Sequence, residues 1–87
     1  MNYPKNFAIQ YRNQAIPVHV VGDIQYLCFV ARIPNDGDVH ICVDFEENGN
    51  HRWLEMPDKE TERAYEIGRN IQKQLEKEGY KFERTKV

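Results

Sequence analysis

The sequence predicts a small α+β domain, in which an antiparallel β-meander of four to five strands precedes one C-terminal amphipathic helix packed on one sheet face. From residue 7 to residue 56, apolar residues recur at every second position between short turn clusters, which is typical of strands joined by hairpins. After Pro57 the apolar period becomes that of a helix. The 87 residues contain no repeat, low-complexity segment or linker, so we expect a single domain over 1–87.

Four turns set the predicted register of the strands. Asn35-Asp36-Gly37 suits a three-residue hairpin loop with Gly37 in the left-handed region, and Asn48-Gly49 and Gly22-Asp23 suit two-residue loops. Asn13-Gln14 is a weaker two-residue turn, because neither residue adopts a positive φ as readily as glycine. The turns pair apolar residues across strands: Ile9 with Val18, Val18 with Leu27, Ala31 with Ile41, and Val43 with Leu54. A one-residue slip would invert a strand, so one shared apolar face supports this register.

The helix is predicted over 58–79, with Asp58 as its N-cap and Gly79 as its terminator. Its apolar stripe consists of Ala64, Ile67, Gly68, Ile71 and Leu75. Gly68 costs about 1 kcal/mol of helix propensity relative to alanine. We therefore expect a bulky sheet residue, such as Phe29, to pack against Gly68.

The predicted sheet is wider than the helix that covers it. Five strands span about 20 Å, whereas one helix covers about 10 Å. Either the sheet coils around the helix, or the tail over 80–87 helps to cover it, or a partner does. Tyr80 and Phe82 alternate as they would in a short edge strand, so the tail is a candidate.

The second face of the sheet carries a mixture of aromatic, thiol, imidazole and charged side chains. The predicted register places these residues there: Tyr26, Cys28, Val30, Arg32, His40, Cys42, Asp44, Trp53 and Glu55. Tyr26, Val30, Arg32 and Trp53 are of the types that anchor protein interfaces. The leading hypothesis is a non-enzymatic module that binds another protein or itself, as a homodimer, through this candidate interaction face or through an exposed strand edge.

A metal or thiol site on the same face is a third hypothesis. Cys28, Cys42, His40, Asp44 and Glu55 are all ligand types, but side chains standing on a flat sheet converge poorly, so no metal or other cofactor is predicted. The register makes the two cysteines diagonal neighbours, about 7–8 Å apart, which is long for a disulfide. Free thiols are therefore expected.

The sequence contains no recognisable catalytic constellation, so no enzymatic activity is predicted. It has no serine, and its glycines are scattered singly, which excludes phosphate-cradling loops. The net charge of −2 gives no general attraction to nucleic acid. The alternative hypothesis is a nucleic-acid-associated accessory protein whose basic tail and helix contact phosphates through Arg69, Lys73, Lys77, Lys81, Arg84 and Lys86.

The expected location is the cytoplasm. No apolar run approaches the roughly 20 residues that span a bilayer, and the first residues lack the pattern of a signal peptide. We therefore expect a soluble protein without membrane contact, in which both cysteines are reduced.

Overall fold

The computed structural model of the protein describes residues 4–21, 27–47, 50–56, 59–80 and 82. One antiparallel sheet has the strand order β1-β2-β3-β4-β5, and a single helix follows it. The elements are β1 Asn6–Tyr11, β2 Gln14–Val20, β3 Leu27–Ile33, β4 Gly37–Phe45, β5 His51–Glu55 and α1 Glu62–Lys77. The predicted meander followed by one packed helix is therefore confirmed. No helix within the described ranges is long and apolar enough to cross a membrane.

The turn between β1 and β2 lies one residue earlier than predicted. Arg12 and Asn13 both have positive φ, 49° and 65°, so the two-residue loop joins Tyr11 to Gln14. Ile9 therefore pairs with Ile16 and not with Val18. The register differs from the predicted one by two residues, which leaves the same side chains on each face.

The central strand pairs also differ from prediction by even numbers of residues. Val18 lies opposite Ala31 and Ala31 lies opposite Val39, whereas Leu27 and Ile41 were the predicted partners. Gly37 has the expected left-handed φ of 79°, but it pairs with Ile33 as the first residue of β4. The predicted Gly22-Asp23 turn lies outside the described residues. Because the displacements are even, β2, β3 and β4 present the predicted apolar face to the helix.

The last strand differs from prediction by one residue, and this reverses its faces. Val43 lies opposite Trp53 and not opposite Leu54, and the Glu46 N–H donates to the Asn50 carbonyl at 2.7 Å. The predicted turn at Asn48-Gly49 lies outside the described residues. Trp53 therefore lies on the helix side of the sheet, which we call the front face, and Leu54 lies on the opposite back face.

The helix begins at Glu62, later than predicted. Thr61 is its N-cap, with Oγ1 accepting a hydrogen bond from the Ala64 N–H at 2.9 Å. Asp58 lies outside the described residues. Gly79 ends the helix as expected: its φ is 94°, and the Tyr80 N–H donates to the Leu75 carbonyl at 2.9 Å.

The helix packs its predicted stripe into the core, where Ala64, Ile67, Gly68, Ile71 and Leu75 are all buried. It contacts β4 and both edge strands, β1 and β5. At the β1 edge, Asn70 Nδ2 donates to the Gln10 carbonyl at 2.7 Å. Tyr80 and Phe82 also pack against the core, as expected, although neither belongs to a strand. Tyr80 and Phe82 thus help the helix to cover the front face.

Candidate functional site: the back face of the sheet

The structure does not bring the four predicted interaction residues together. Val30 and Arg32 lie on the back face, where Val30 is only 4% exposed. Trp53 lies on the front face and is 1% exposed, so its predicted position on the second face was wrong. Tyr26 lies outside the described residues. Whether Val30 and Arg32 contact a partner stays a prediction.

Trp53 is a core residue, and it explains the glycine in the helix. A Cβ on Gly68 would overlap the indole carbons Cδ2, Cγ and Cε2 of Trp53. The bulky partner predicted for Gly68 therefore exists, but it is Trp53 and not Phe29. Phe29 is also buried, and its ring centroid lies 6.3 Å from that of Trp53.

The cysteines are bonded to each other and are not free thiols. Cys28 and Cys42 are direct cross-strand partners with Cα atoms 4.1 Å apart, and they form a disulfide. The prediction of free thiols was wrong because the β3–β4 register was misjudged by two residues, which made direct partners look diagonal. Sequence alternation could not reveal this, since both registers place the cysteines on the same face.

An apolar row crosses the back face at the level of the disulfide. The Val21 N–H donates to the Cys28 carbonyl at 2.9 Å, Cys28 pairs with Cys42, and Cys42 pairs with Leu54. Met56 continues beyond Leu54, and its Sδ lies 3.3 Å from Cys42 Sγ. Val21 and Met56 are 46% and 53% exposed, and they are the large exposed hydrophobic side chains of the described residues. Sequence reasoning missed Val21, Leu54 and Met56 as members of this surface.

Two ion pairs flank the apolar row. Arg32 Nε donates to Asp38 Oδ1 at 3.2 Å, and Arg52 Nη2 donates to Asp44 Oδ2 at 2.6 Å. The hydrogen bond to Asp44 raises the pKa of Arg52 above its ordinary value. The back face therefore combines an apolar centre with charges that are already paired across neighbouring strands.

Glu55 has a structural role on the front face. Its carboxylate accepts hydrogen bonds from Arg63 Nε at 3.1 Å and Arg63 Nη2 at 2.6 Å, and from the Thr61 hydroxyl at 3.2 Å. The Arg63 hydrogen bonds lower the pKa of Glu55. This arrangement attaches the helix N-terminus to β5.

The predicted set of metal ligands is consequently not assembled. Glu55 points to the helix, Asp44 is bound by Arg52, and both thiols are in the disulfide. Within the part of the chain that the structure describes, no three or more His, Cys, Asp and Glu residues converge to hold a metal ion.

An aromatic cluster occupies the end of the front face. The Phe82 ring centroid lies 5.3 Å from that of Trp53, 5.5 Å from that of Phe45 and 5.2 Å from that of His51. His51 Nε2 is also hydrogen-bonded to Gln72 Oε1 at 3.1 Å. Trp53 belongs to the core, and the rings of Phe45, His51 and Phe82 are partly buried around it.

The residues of the nucleic-acid hypothesis are only partly described. Arg69, Lys73 and Lys77 are exposed on the helix, while Lys81 and the residues after Phe82 lie outside the described ranges. Exposed Glu62 and Glu76 lie on the same helix. Its outer surface is therefore mixed in charge and not a basic stripe.

No family model, curated protein or solved structure matches the chain.

Proposed function

We propose that the protein is a non-enzymatic self-association module, and that a second copy of the chain docks on the back face of the sheet. The observation that carries this proposal is the apolar row, which ends in two large exposed side chains, Val21 and Met56. Between them, Cys28 and Leu54 are partly exposed and Cys42 is 6% exposed. Water-exposed apolar surface of this kind gains free energy when a partner buries it.

The charges on the back face favour a copy of the same chain as the partner. Arg32 is paired with Asp38, and Arg52 lies 2.6 Å from Asp44, 3.8 Å from Glu46 and 3.9 Å from Glu60, so both cations already have carboxylate partners within the chain. When two such faces stack about a two-fold axis, these preformed pairs form a polar rim around the apolar centre. A strongly acidic partner would find no complementary charge here, because both arginines are already paired.

The face is a better docking surface than the strand edges, which other parts of the chain partly close. At the β1 edge the Gln10 carbonyl accepts a hydrogen bond from Asn70. At the β5 edge Glu55 exchanges backbone hydrogen bonds with Lys59, at 2.7 and 2.9 Å. A strand added to either edge would have to displace these contacts.

The size of the face sets the expected affinity. Five strands about 4.8 Å apart, each about 20 Å long, offer roughly 400 Å² of flat area, compared with about 800 Å² per partner in a standard interface. We therefore expect a weak, reversible homodimer with a dissociation constant in the micromolar range.

Sedimentation equilibrium over about 5–500 μM, which brackets the range expected for a small interface, tests the proposal. The wild type should shift from monomer to dimer, and Leu54→Arg should stay monomeric with an unchanged far-UV spectrum. Lys73→Glu, on the exposed helix surface, is the matched control and should dimerise like the wild type. A wild-type monomer throughout the range, or equal dimerisation of Leu54→Arg, would refute the proposal.

The alternative, a nucleic-acid-associated accessory protein, is supported by the exposure of Arg69, Lys73 and Lys77. It predicts oligonucleotide binding at low salt that weakens steeply as salt rises. A flat titration with single- and double-stranded oligonucleotides would remove it. Cytoplasmic location is likewise a proposal, and in that reducing compartment we expect Cys28 and Cys42 to be reduced.

A further inference from the structure

Three sulfur atoms meet on the back face. Cys28 and Cys42 are bonded, and Met56 Sδ lies 3.3 Å from Cys42 Sγ. Met56 is 53% exposed and Cys28 is partly exposed, whereas Cys42 is 6% exposed. The cluster is thus open to solvent on one side and supported by the sheet on the other.

The disulfide is positioned for exchange with a small thiol of the glutathione class. One thiolate attacks Sγ of Cys28, which is the more exposed of the two residues, forms a mixed disulfide and releases the Cys42 thiolate. A second thiol then attacks the mixed disulfide, which releases the oxidised small-molecule disulfide and leaves both cysteines reduced. Two electrons and two protons have passed to the protein from the small thiols.

Reduction does not separate the sulfur atoms, because the backbone holds them together. Paired residues continue on both sides of the cysteines, with Leu27 opposite Val43 and Phe29 opposite Ile41. Met56 is held independently, since its N–H donates to the His40 carbonyl at 3.0 Å. Two thiols and one thioether therefore remain adjacent in the reduced protein.

We propose that the reduced protein binds one soft monovalent metal ion, Cu(I), through the thiolates of Cys28 and Cys42 and the thioether of Met56. Thiolate and thioether sulfur are the ligands that select Cu(I). Binding displaces the two thiol protons, so the complex forms with release of two protons per ion. A structural zinc site takes four ligands, and within the described residues no three or more His, Cys, Asp and Glu side chains converge to supply them. Cys28 and Met56 also lie on the proposed docking face, so the sulfur site is open in the monomer and covered in the dimer. Copper binding is therefore measured at chain concentrations at which the protein is monomeric.

The test is an anaerobic competition between glutathione-reduced protein and a chromogenic Cu(I) chelator. We expect one Cu(I) per wild-type chain and none for the oxidised protein. Cys28→Ser should lose binding, and Met56→Leu should weaken it by about tenfold or more. Asp38→Asn, on the same face but outside the sulfur cluster, should bind like the wild type.

X-ray absorption provides a readout besides affinity. The wild-type complex should show three sulfur neighbours around copper, and Met56→Leu should show two. Absence of binding by the reduced wild type, equal binding by the oxidised form, or an identical sulfur count in Met56→Leu would overturn the proposal. A copper ion held by the two cysteines alone would also overturn it, because Met56 would then be no ligand.

Discussion

Gly68→Ala should destabilise the protein although alanine is the better helix former. Alanine contributes about 1 kcal/mol of helix propensity at an interior position. Its Cβ would, however, overlap three ring carbons of Trp53, which is 1% exposed. The indole cannot turn away easily, because the Phe29 and Phe82 rings lie 6.3 and 5.3 Å from it.

The expected loss is the difference between these two effects. Overpacking of a core costs typically about 1–3 kcal/mol, and an overlap with ring carbons belongs at the upper end. Subtracting the propensity gain leaves a loss of about 2 kcal/mol in the free energy of unfolding. For a domain of this size, that corresponds to a melting temperature lower by about 10 °C.

Urea denaturation followed by far-UV circular dichroism measures this loss. The second measurement is made in a Trp53→Leu background, where the same Gly68→Ala change should stabilise by up to about 1 kcal/mol because the ring is gone. The reversal of sign separates a steric clash from a general intolerance of alanine. If Gly68→Ala stabilises the wild type, or destabilises both backgrounds equally, the close approach of Trp53 is not the reason for the glycine.

Three further changes test other contacts. Glu55→Gln should cost about 1 kcal/mol at neutral pH. The lowered pKa of Glu55 means that this contribution is present above about pH 4.3 and disappears as pH falls through the folded-state pKa, so wild-type and variant urea curves should converge in acid. Cys28→Ser should have a free energy of unfolding up to about 3 kcal/mol lower than that of the oxidised wild type, because the disulfide closes a loop of about 15 residues. Its free energy of unfolding should be close to that of the reduced wild type. An equal loss relative to both forms of the wild type would contradict this. Phe82→Ala should cost about 1–2 kcal/mol and shift Trp53 fluorescence to the red, with Phe82→Leu as a milder control; an unchanged emission maximum would place Phe82 away from the indole in solution.

From the sequence, the buried side of most strands is easier to predict than the residues that pair across neighbouring strands. In β1 to β4 every register error was even, so alternation alone placed Ile9, Ile16, Phe29 and Ile41 correctly in the core. The cross-strand pairs depend on the conformation of each turn, and the residue types in the turns predicted the wrong pairs. Arg12 adopts a positive φ of 49°, although arginine shows no preference for that region.

The candidate site was harder to predict than the core because its chemistry depends on direct neighbours. A two-residue displacement leaves Cys28 and Cys42 on the same face but changes them from diagonal to direct partners. The thioether of Met56 joins them only because β5 is displaced by one residue, which moves Met56 to the back face. Apolar alternation in the five-residue strand β5 is too short to distinguish these alternatives.

Gly68, in the apolar stripe of the helix, indicates the register of β5, which the predicted turn before β5 did not. Gly68 implies that a side chain approaches the helix backbone more closely than a Cβ allows, and the two registers of β5 offer either Leu54 or Trp53 as the front-face residue. A flexible leucine can pack beside an alanine, whereas a planar indole lying against the helix needs the missing Cβ. The same register brings Glu55 to Arg63 at 2.6 Å, so a carboxylate and a guanidinium that would otherwise lie on opposite sides of the sheet become partners. Two contacts, of Gly68 with the Trp53 ring and of Glu55 with Arg63, thus favour the observed register of β5, whereas the hairpin propensity of Asn48-Gly49 favours a different one.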